Sequence, residues 1–267
     1  MDVTQLLNNA ALEFVDFDLP SKGKVYPSGI FSIKIRPTKT VEEKFLRTIA
    51  RGSSDFNEKI SKYIGLITNL SEIGLDPIEL TVPDQLALLI YSRILSKDTI
   101  IYPTEIACPG CGRSSRKNIN LMELKMKFLP DDYVEPQEIC LPLHDLYLGL
   151  RLVKIKDHMN VADWHRTMRS VNRDLGDPET DFEGLYASVI TSVKKGNESI
   201  PLSYSDRRDL LTNLDARSFN LIGEYQDKYY HGYDLKVDFE CPNCLDKNKV
   251  EFDLGADFFF KVTSTAA

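Results

Sequence analysis

The chain has 267 residues, 42% hydrophobic and 27% charged, the composition of a globular protein long enough to bury a core without disulfide staples. Thirty-three basic residues against forty acidic ones give a net charge of −7 and a pI near 5.2. That balance disfavours a general phosphate-backbone binder. No long apolar run suggests a membrane span, and Met1-Asp2-Val3-Thr4-Gln5 lacks the basic start of a secretory signal, so folding in a reducing cytoplasm is expected.

Residues 1–13 read as a short helix or a loose arm, and residues 14–36 as β structure with Ser21-Lys22-Gly23-Lys24 as a loop between strands. An apolar stripe of Val41, Phe45, Leu46 and Ile49 predicts a helix over 40–52, with Thr40 as N-cap and Glu43 three residues on. Ile60, Tyr63, Ile64 and Ile67 predict another over 56–70. Pro83 at a first turn, then Leu86, Leu89, Ile90, Arg93 and Ile94, predicts a third over 83–97. Further on, Leu148–Ile155 alternates like a strand. Cys140, in the apolar run Ile139-Cys140-Leu141, reads as a buried thiol. Helices are expected over 160–172, with Asn160 as N-cap, and over 180–196 and 205–220. Tyr229–Tyr233 and Phe258–Phe260 read as buried segments, with exposed docking patches as the alternative.

The chemistry concentrates in four of the five cysteines: Cys108-Pro109-Gly110-Cys111 and Cys241-Pro242-Asn243-Cys244. A tight turn between two cysteines aims both sulfurs at one ion and frees backbone N–H groups to bond them. Strand-like flanks around each pair predict two hairpin knuckles sharing one tetrahedral zinc, as in a zinc ribbon. Four thiolates leave no open coordination position, so the zinc, one per chain, is expected to be structural. A redox dithiol is the weaker alternative for either pair, since no βαβ context surrounds them. No phosphate-binding loop, nucleophile elbow or paired-carboxylate motif is present, and no catalytic residue is assigned.

The knuckles lie 130 residues apart, from Cys111 to Cys241, which is wide for a ribbon. An internal duplication explains the gap. Asp18-Leu19-Pro20 matches Cys140-Leu141-Pro142, each match leads into a strand and then a helix start, and each ends in a knuckle and a strand. Val82–Leu86 and Tyr204–Arg208 are paired as later helix starts. The expected fold is therefore α+β. Its two related halves, 1–130 and 131–267, each hold a β-hairpin, helices and a knuckle, and meet at the four-cysteine site.

The stretch Leu19-Pro20-Ser21-Lys22-Gly23-Lys24-Val25-Tyr26-Pro27, the strand ending Ile35-Arg36-Pro37, and the helix opening Glu42-Glu43-Lys44 resemble one family of proteins. So does the helix Asp84–Arg93 followed by the first knuckle. The family is the base-plate hub and hub-assembly proteins of T-four-like contractile phage tails, and the resemblance is best over residues 14–125. It implies a non-enzymatic tail component or assembly factor, made in the infected bacterial cytoplasm, with the virion base plate as a candidate destination. The implied partners are other hub and tail proteins, with the tape-measure protein as a further candidate, in a homo- or hetero-oligomeric assembly. Ser21, Lys22, Gly23, Lys24 and Tyr26 are the first candidate partner contacts, because a Gly-containing, Lys-bearing loop between strands is adaptable. The alternative is a hairpin turn that needs Gly23 for its backbone angle. A rival function, a zinc-ribbon nucleic-acid-binding regulator, is disfavoured by the net charge and by Asp238, Glu240, Glu251 and Asp253 flanking the second knuckle.

Overall fold

A computed structural model describes residues 13–49, 56–96, 100–169, 177–196, 198–252, 254 and 258. The fold is mixed α and β. Period-two alternation builds the first hairpin, β1 (Val15–Asp18) with β2 (Ser32–Ile35), whose Phe17, Ile33 and Ile35 turn inward. Three helices follow: α1 (Thr40–Ile49), α2 (Phe56–Ile67) and α3 (Val82–Ser96). The long hairpin β3 (Ile101–Ala107) and β4 (Ser114–Asn120) comes next, and then the short strand β5 (Met126–Lys127).

A four-stranded antiparallel sheet forms from β6 (Gln137–Leu141), β7 (Leu146–Leu150), β8 (Ile190–Lys195) and β9 (Glu198–Ser199), in that order. Helices α4 (Ile155–Met168) and α5 (Phe182–Val189) lie between β7 and β8 in the chain. Helices α6 (Tyr204–Thr212) and α7 (Ala216–Lys228) lead to β10 (Gly232–Tyr233), which pairs with β5, and to the hairpin β11 (Lys236–Glu240) and β12 (Lys247–Glu251). One apolar core runs from Phe17 through Ile64, Leu88 and Leu150 to Ile222 and Phe258, so elements from both ends of the chain share it. Ile106, Cys108, Phe239 and Cys241 form a separate small core under the knuckles, with Val237 and Val250 packed against it. No described helix is long and apolar enough to cross a membrane.

Two arginine clamps have matching contacts. Arg36 donates to both carboxylate oxygens of Glu42, six residues on, and to the carbonyls of Pro37 and Leu66. Arg151 donates to both oxygens of Asp157, six residues on, and to the carbonyls of Leu152 and Ser188. In each case the carboxylate also accepts the backbone N–H three residues before it, from Lys39 at 2.7 Å and Lys154 at 2.8 Å. Each clamp thus joins a strand end, a helix start and the C-terminal end of a second helix.

Several expected boundaries move. Glu42, not Glu43, closes the N-terminus of α1, and α4 starts at Ile155 with Asp157 closing it, so Asn160 lies inside the helix. The predicted helix over 180–196 is α5 followed by β8, because the β-branched run Ile190-Thr191 and Val193 fits a half-buried strand better. The predicted helix over 205–220 breaks at Asn213–Asp215, where Asp215 accepts the N–H groups of Arg217 and Ser218 and caps α7. Cys140 is exposed on β6. Phe258 is fully buried, while in the tyrosine segment His231, Gly232 and Tyr233 are buried and Tyr230 is exposed. Residues 1–12 and 50–52, Asp253, Phe259 and Phe260 lie outside the described residues.

Candidate metal centre

The two knuckles face each other at the tips of the β3–β4 and β11–β12 hairpins. Each turn is closed by the same pair of backbone bonds. Cys108 N–H donates to Arg113 O and Gly112 N–H to Cys108 O, at 3.0 and 2.8 Å. Cys241 N–H donates to Asp246 O and Leu245 N–H to Cys241 O, both at 2.9 Å. The fourth residue after the leading cysteine is left-handed in both, Gly112 at φ +70° and Leu245 at φ +60°. Burial matches as well. Cys108 and Cys241 are buried, whereas Cys111 and Cys244 are exposed.

The sulfurs of Cys108, Cys111, Cys241 and Cys244 all lie within 4.8 Å of one another. Across the knuckles, Cys108 Sγ is 3.6 Å from Cys244 Sγ, and Cys111 Sγ is 3.7 Å from Cys241 Sγ. A tetrahedral zinc with bonds of about 2.3 Å sets sulfurs roughly 3.8 Å apart, so the cluster has the dimensions of a four-thiolate site. A disulfide would need about 2.05 Å, and none is formed. The donor set therefore fits a soft tetrahedral ion, and a fully ligated one leaves no position for substrate or water.

Local electrostatics point the same way. Backbone N–H groups of Cys244 and Asn243 bond the Cys241 sulfur and pull its thiol down to about 6. The Asp246 N–H favours the Cys244 thiolate. Partial desolvation of the sulfur by the cluster around it, together with hydrogen bonds shared with Cys241, Cys108 and Cys111, outweighs it and pushes that thiol up to about 12. Four clustered sulfurs cannot all ionise without a cation among them, which is the condition a divalent metal satisfies.

Contacts between knuckles extend past the sulfurs. A Cβ on Gly110 would lie 2.5 Å from Asp246 Oδ2, so Gly110 admits the opposite knuckle. Arg113 Nη1 lies 3.5 Å from Asn243 Oδ1, and Lys117 Nζ donates to Asp238 O at 2.5 Å. Sequence reading picked out the four cysteines but not Asp246 or Leu245. Comparing the knuckles position by position from their leading cysteines aligns Leu245 with Gly112 and brings its strained backbone into view.

The Leu19–Pro27 loop packs largely inward. Ser21, Gly23 and Tyr26 are buried. Ser21 N–H donates to Asp84 Oδ1 at 3.0 Å, and Tyr26 O–H donates to Asp84 Oδ2 at 2.5 Å. Asp84 is itself fully buried. Burial first, and the adjoining Asp84 charge second, hold the Tyr26 hydroxyl well above its ordinary range. Gly23 has φ +68°, and a Cβ there would lie 2.5 Å from Ile30 O. Lys22 Nζ pairs with Asp131 Oδ1 at 2.6 Å, and Lys24 Nζ donates to Asp131 O. Of the five residues, Lys22 and Lys24 retain partial exposure.

Four cysteine sulfurs gathered between two hairpins of an α+β fold make up a candidate metal-binding cluster. A family model described as T4 bacteriophage base plate protein matches residues 13–260, and the chain belongs to that family. Neither the curated proteins nor the solved structures returned a match.

Proposed function

We propose that this protein is a structural subunit of the base-plate hub, or the factor that assembles the hub, and that it works by protein contacts rather than catalysis. The carrying observation is the family match across residues 13–260. The four-sulfur geometry supports one structural zinc per chain, held by Cys108, Cys111, Cys241 and Cys244. That zinc would stiffen the hairpin tips so that they present one surface. The partners in this reading are other hub and tail proteins and the tape-measure protein. Assembly takes place in the infected host's cytoplasm. Lys22 and Lys24 are the contact candidates left in the Leu19–Pro27 loop, since they keep exposed surface beside Asp131.

We also infer that residues 1–130 and 131–267 are two related halves. The matched Arg36 and Arg151 clamps and the matched knuckle bonds support this reading. A second match revises the helix pairing. Asp84 in the first turn of α3 bonds the loop after β1, and Asp215 at the start of α7 lies 2.9 Å from His144 in the loop after β6. So α3 corresponds to α7, not to α6.

Co-expression with the other base-plate hub proteins of the same phage, followed by native mass spectrometry, tests the functional reading. The expected result is a complex of fixed stoichiometry with one zinc per chain of this protein. A lone monomer under every combination would overturn it. Peptide mapping of purified tails then separates a resident subunit from an assembly factor that leaves.

A further inference from the structure

The hairpins β1–β2 and β6–β7 share one register. Val15 pairs with Ile35 and Phe17 with Ile33 in the first, and Gln137 with Leu150 and Ile139 with Leu148 in the second. A third segment meets each hairpin in the same way. Arg36 N–H donates to Ile67 O at 3.0 Å, and Arg151 N–H to Val189 O at 3.1 Å. Thr68 then bridges Ile35, as Ile190 pairs with Leu150. Beyond that point they differ. After Ile190 the chain runs on as β8 along the whole of β7. After Thr68 it turns away. Asn69 bonds Lys34 through its N–H at 3.1 Å and its Oδ1 at 2.8 Å, and its carbonyl accepts the N–H groups of Glu72 and Ile73 in a turn.

Part of β2 is therefore left uncovered. Leu19 N–H donates to Phe31 O, so that carbonyl turns toward β1, while the backbone of Lys34 turns toward Asn69. Alternation then points the N–H and C=O of Ser32 away from β1, the side on which Tyr147 pairs with Lys194 of β8. Among the described residues no strand pairs with Ser32 on that side. Ser32 is exposed, and Phe31, on the same face as buried Ile33 and Ile35, is 41% exposed. Strand β8 shows what such an edge takes. Its Val193 is buried and pairs with Leu148, the counterpart of Ile33. Its Lys194 reaches Glu138, the counterpart of Asp16, at 2.5 Å. Asp16 and Asp18 are exposed on β1 and outnumber Lys34 on that face, so a basic residue opposite Ser32 has complementary charge beside it.

We propose that the open edge of β2 at Ser32 receives a short extended strand of a partner protein, antiparallel to β2, with an apolar residue opposite Ile33 and a lysine or arginine opposite Ser32. The choice of strand rests on the reading of residues 1–130 and 131–267 as related halves, whereas the open edge stands on the hydrogen bonds alone. A second copy of this chain suits the edge poorly. Asn69 holds Lys34 in each copy, so only Ser32 would meet Ser32, with no basic residue opposite.

The test titrates the full-length protein with acetyl-Ser-Val-Lys-Lys-Gly amide, which copies residues 192–196, and follows amide resonances and hydrogen exchange. The expected result is a saturable shift and slowed exchange at the Ser32 N–H. Exchanging the Val and first Lys of the peptide sets a charge opposite Ile33 and should weaken binding about fivefold or more. Ser32→Pro removes the outward N–H without touching the bonds to β1, and should weaken binding about tenfold or more. Asp16→Lys with Asp18→Lys should weaken it about threefold, and a peptide with Glu for both Lys should then bind that variant the better of the two. This charge swap decides the matter should Ser32→Pro not fold. No saturable shift at Ser32, or equal binding of the exchanged peptide, overturns the proposal. So does a dimer in sedimentation that Ser32→Pro dissolves, which assigns the edge to a second copy. Unequal costs of Arg36→Met and Arg151→Met would count against the paired halves, and failure to assemble with hub proteins against the functional reading, while the titration alone decides the edge.

Discussion

Leu245 occupies the position where the other knuckle has Gly112, both in the left-handed region. An L-residue with a Cβ is strained there by about 1–2 kcal/mol, and Leu245, 70% exposed, recovers little by burial. Leu245→Gly should therefore stabilise the protein by about 0.5–1 kcal/mol after glycine's greater unfolded freedom is allowed for. Gly112→Ala should destabilise it by about 1 kcal/mol. Urea midpoints at saturating zinc check both, and an unchanged or lower midpoint for Leu245→Gly contradicts the strain argument. A second residue-level test concerns acid. Burial alone would raise the carboxyls of Asp181 and Glu42, but bonds from Arg208, the Gly184 N–H and His165 to the one, and from Arg36 and the Lys39 N–H to the other, hold both below their usual values. A lowered folded value means that the stability they contribute is complete above the unfolded value, roughly pH 4. It drains away as pH falls through the folded values. The pH profile of Tm should steepen below about pH 4, and Asp181→Asn should flatten it.

Helix and strand identities follow local pattern where one face is buried, which is why α1, α2, α3 and both knuckles sit close to their expected places. Boundaries set by distant partners were not legible. The start of α4 depends on Asp157 meeting Arg151 and the Lys154 N–H, and the end of α5 on Ile190 joining β8 against β7. Periodicity over a short window cannot register either. The clamps are tertiary staples for these boundaries. Removing Arg151 leaves Asp157, 1% exposed, without its counter-charge, so Arg151→Met should cost about 3 kcal/mol in chemical denaturation. Arg36→Met should fall in the same range, since it joins the same three kinds of element. A loss under about 0.5 kcal/mol in both would reduce the clamps to surface pairs.

For the molecule as a whole, a metal held by the four-cysteine site would cross-link segments 130 residues apart, from Cys111 to Cys241. Closing a loop of that length removes about 5 kcal/mol of unfolded-state freedom in the chain-entropy picture. The roots of both knuckle hairpins, Tyr102, Ile119 and Phe252, belong to the main core, whereas the tips rest on the small core of Ile106 and Phe239. Chelation should therefore lower Tm and expose tip amides to hydrogen exchange while the amides of α3 and β7 stay protected. Cys244→Ser should reproduce the effect, and Cys140→Ser, at an exposed position on β6, should not. Simultaneous loss of protection throughout would show the metal to be essential to the main core as well.

The amino-acid order alone pointed to the α+β class, the four cysteines that cluster and the family resemblance. Each depends on local spacing, or on short motifs that survive without three-dimensional knowledge. Folding in space settled the rest. It brought the two pairs of sulfurs within 4.8 Å of one another, turned Ser21 and Tyr26 inward onto Asp84, and left Arg93 Nε and Nη1 buried without a hydrogen-bond partner. The physical reason is range. Spacing encodes turns and faces over a few residues, whereas the pairing of buried charges and sulfurs is set by which surfaces the common core presses together.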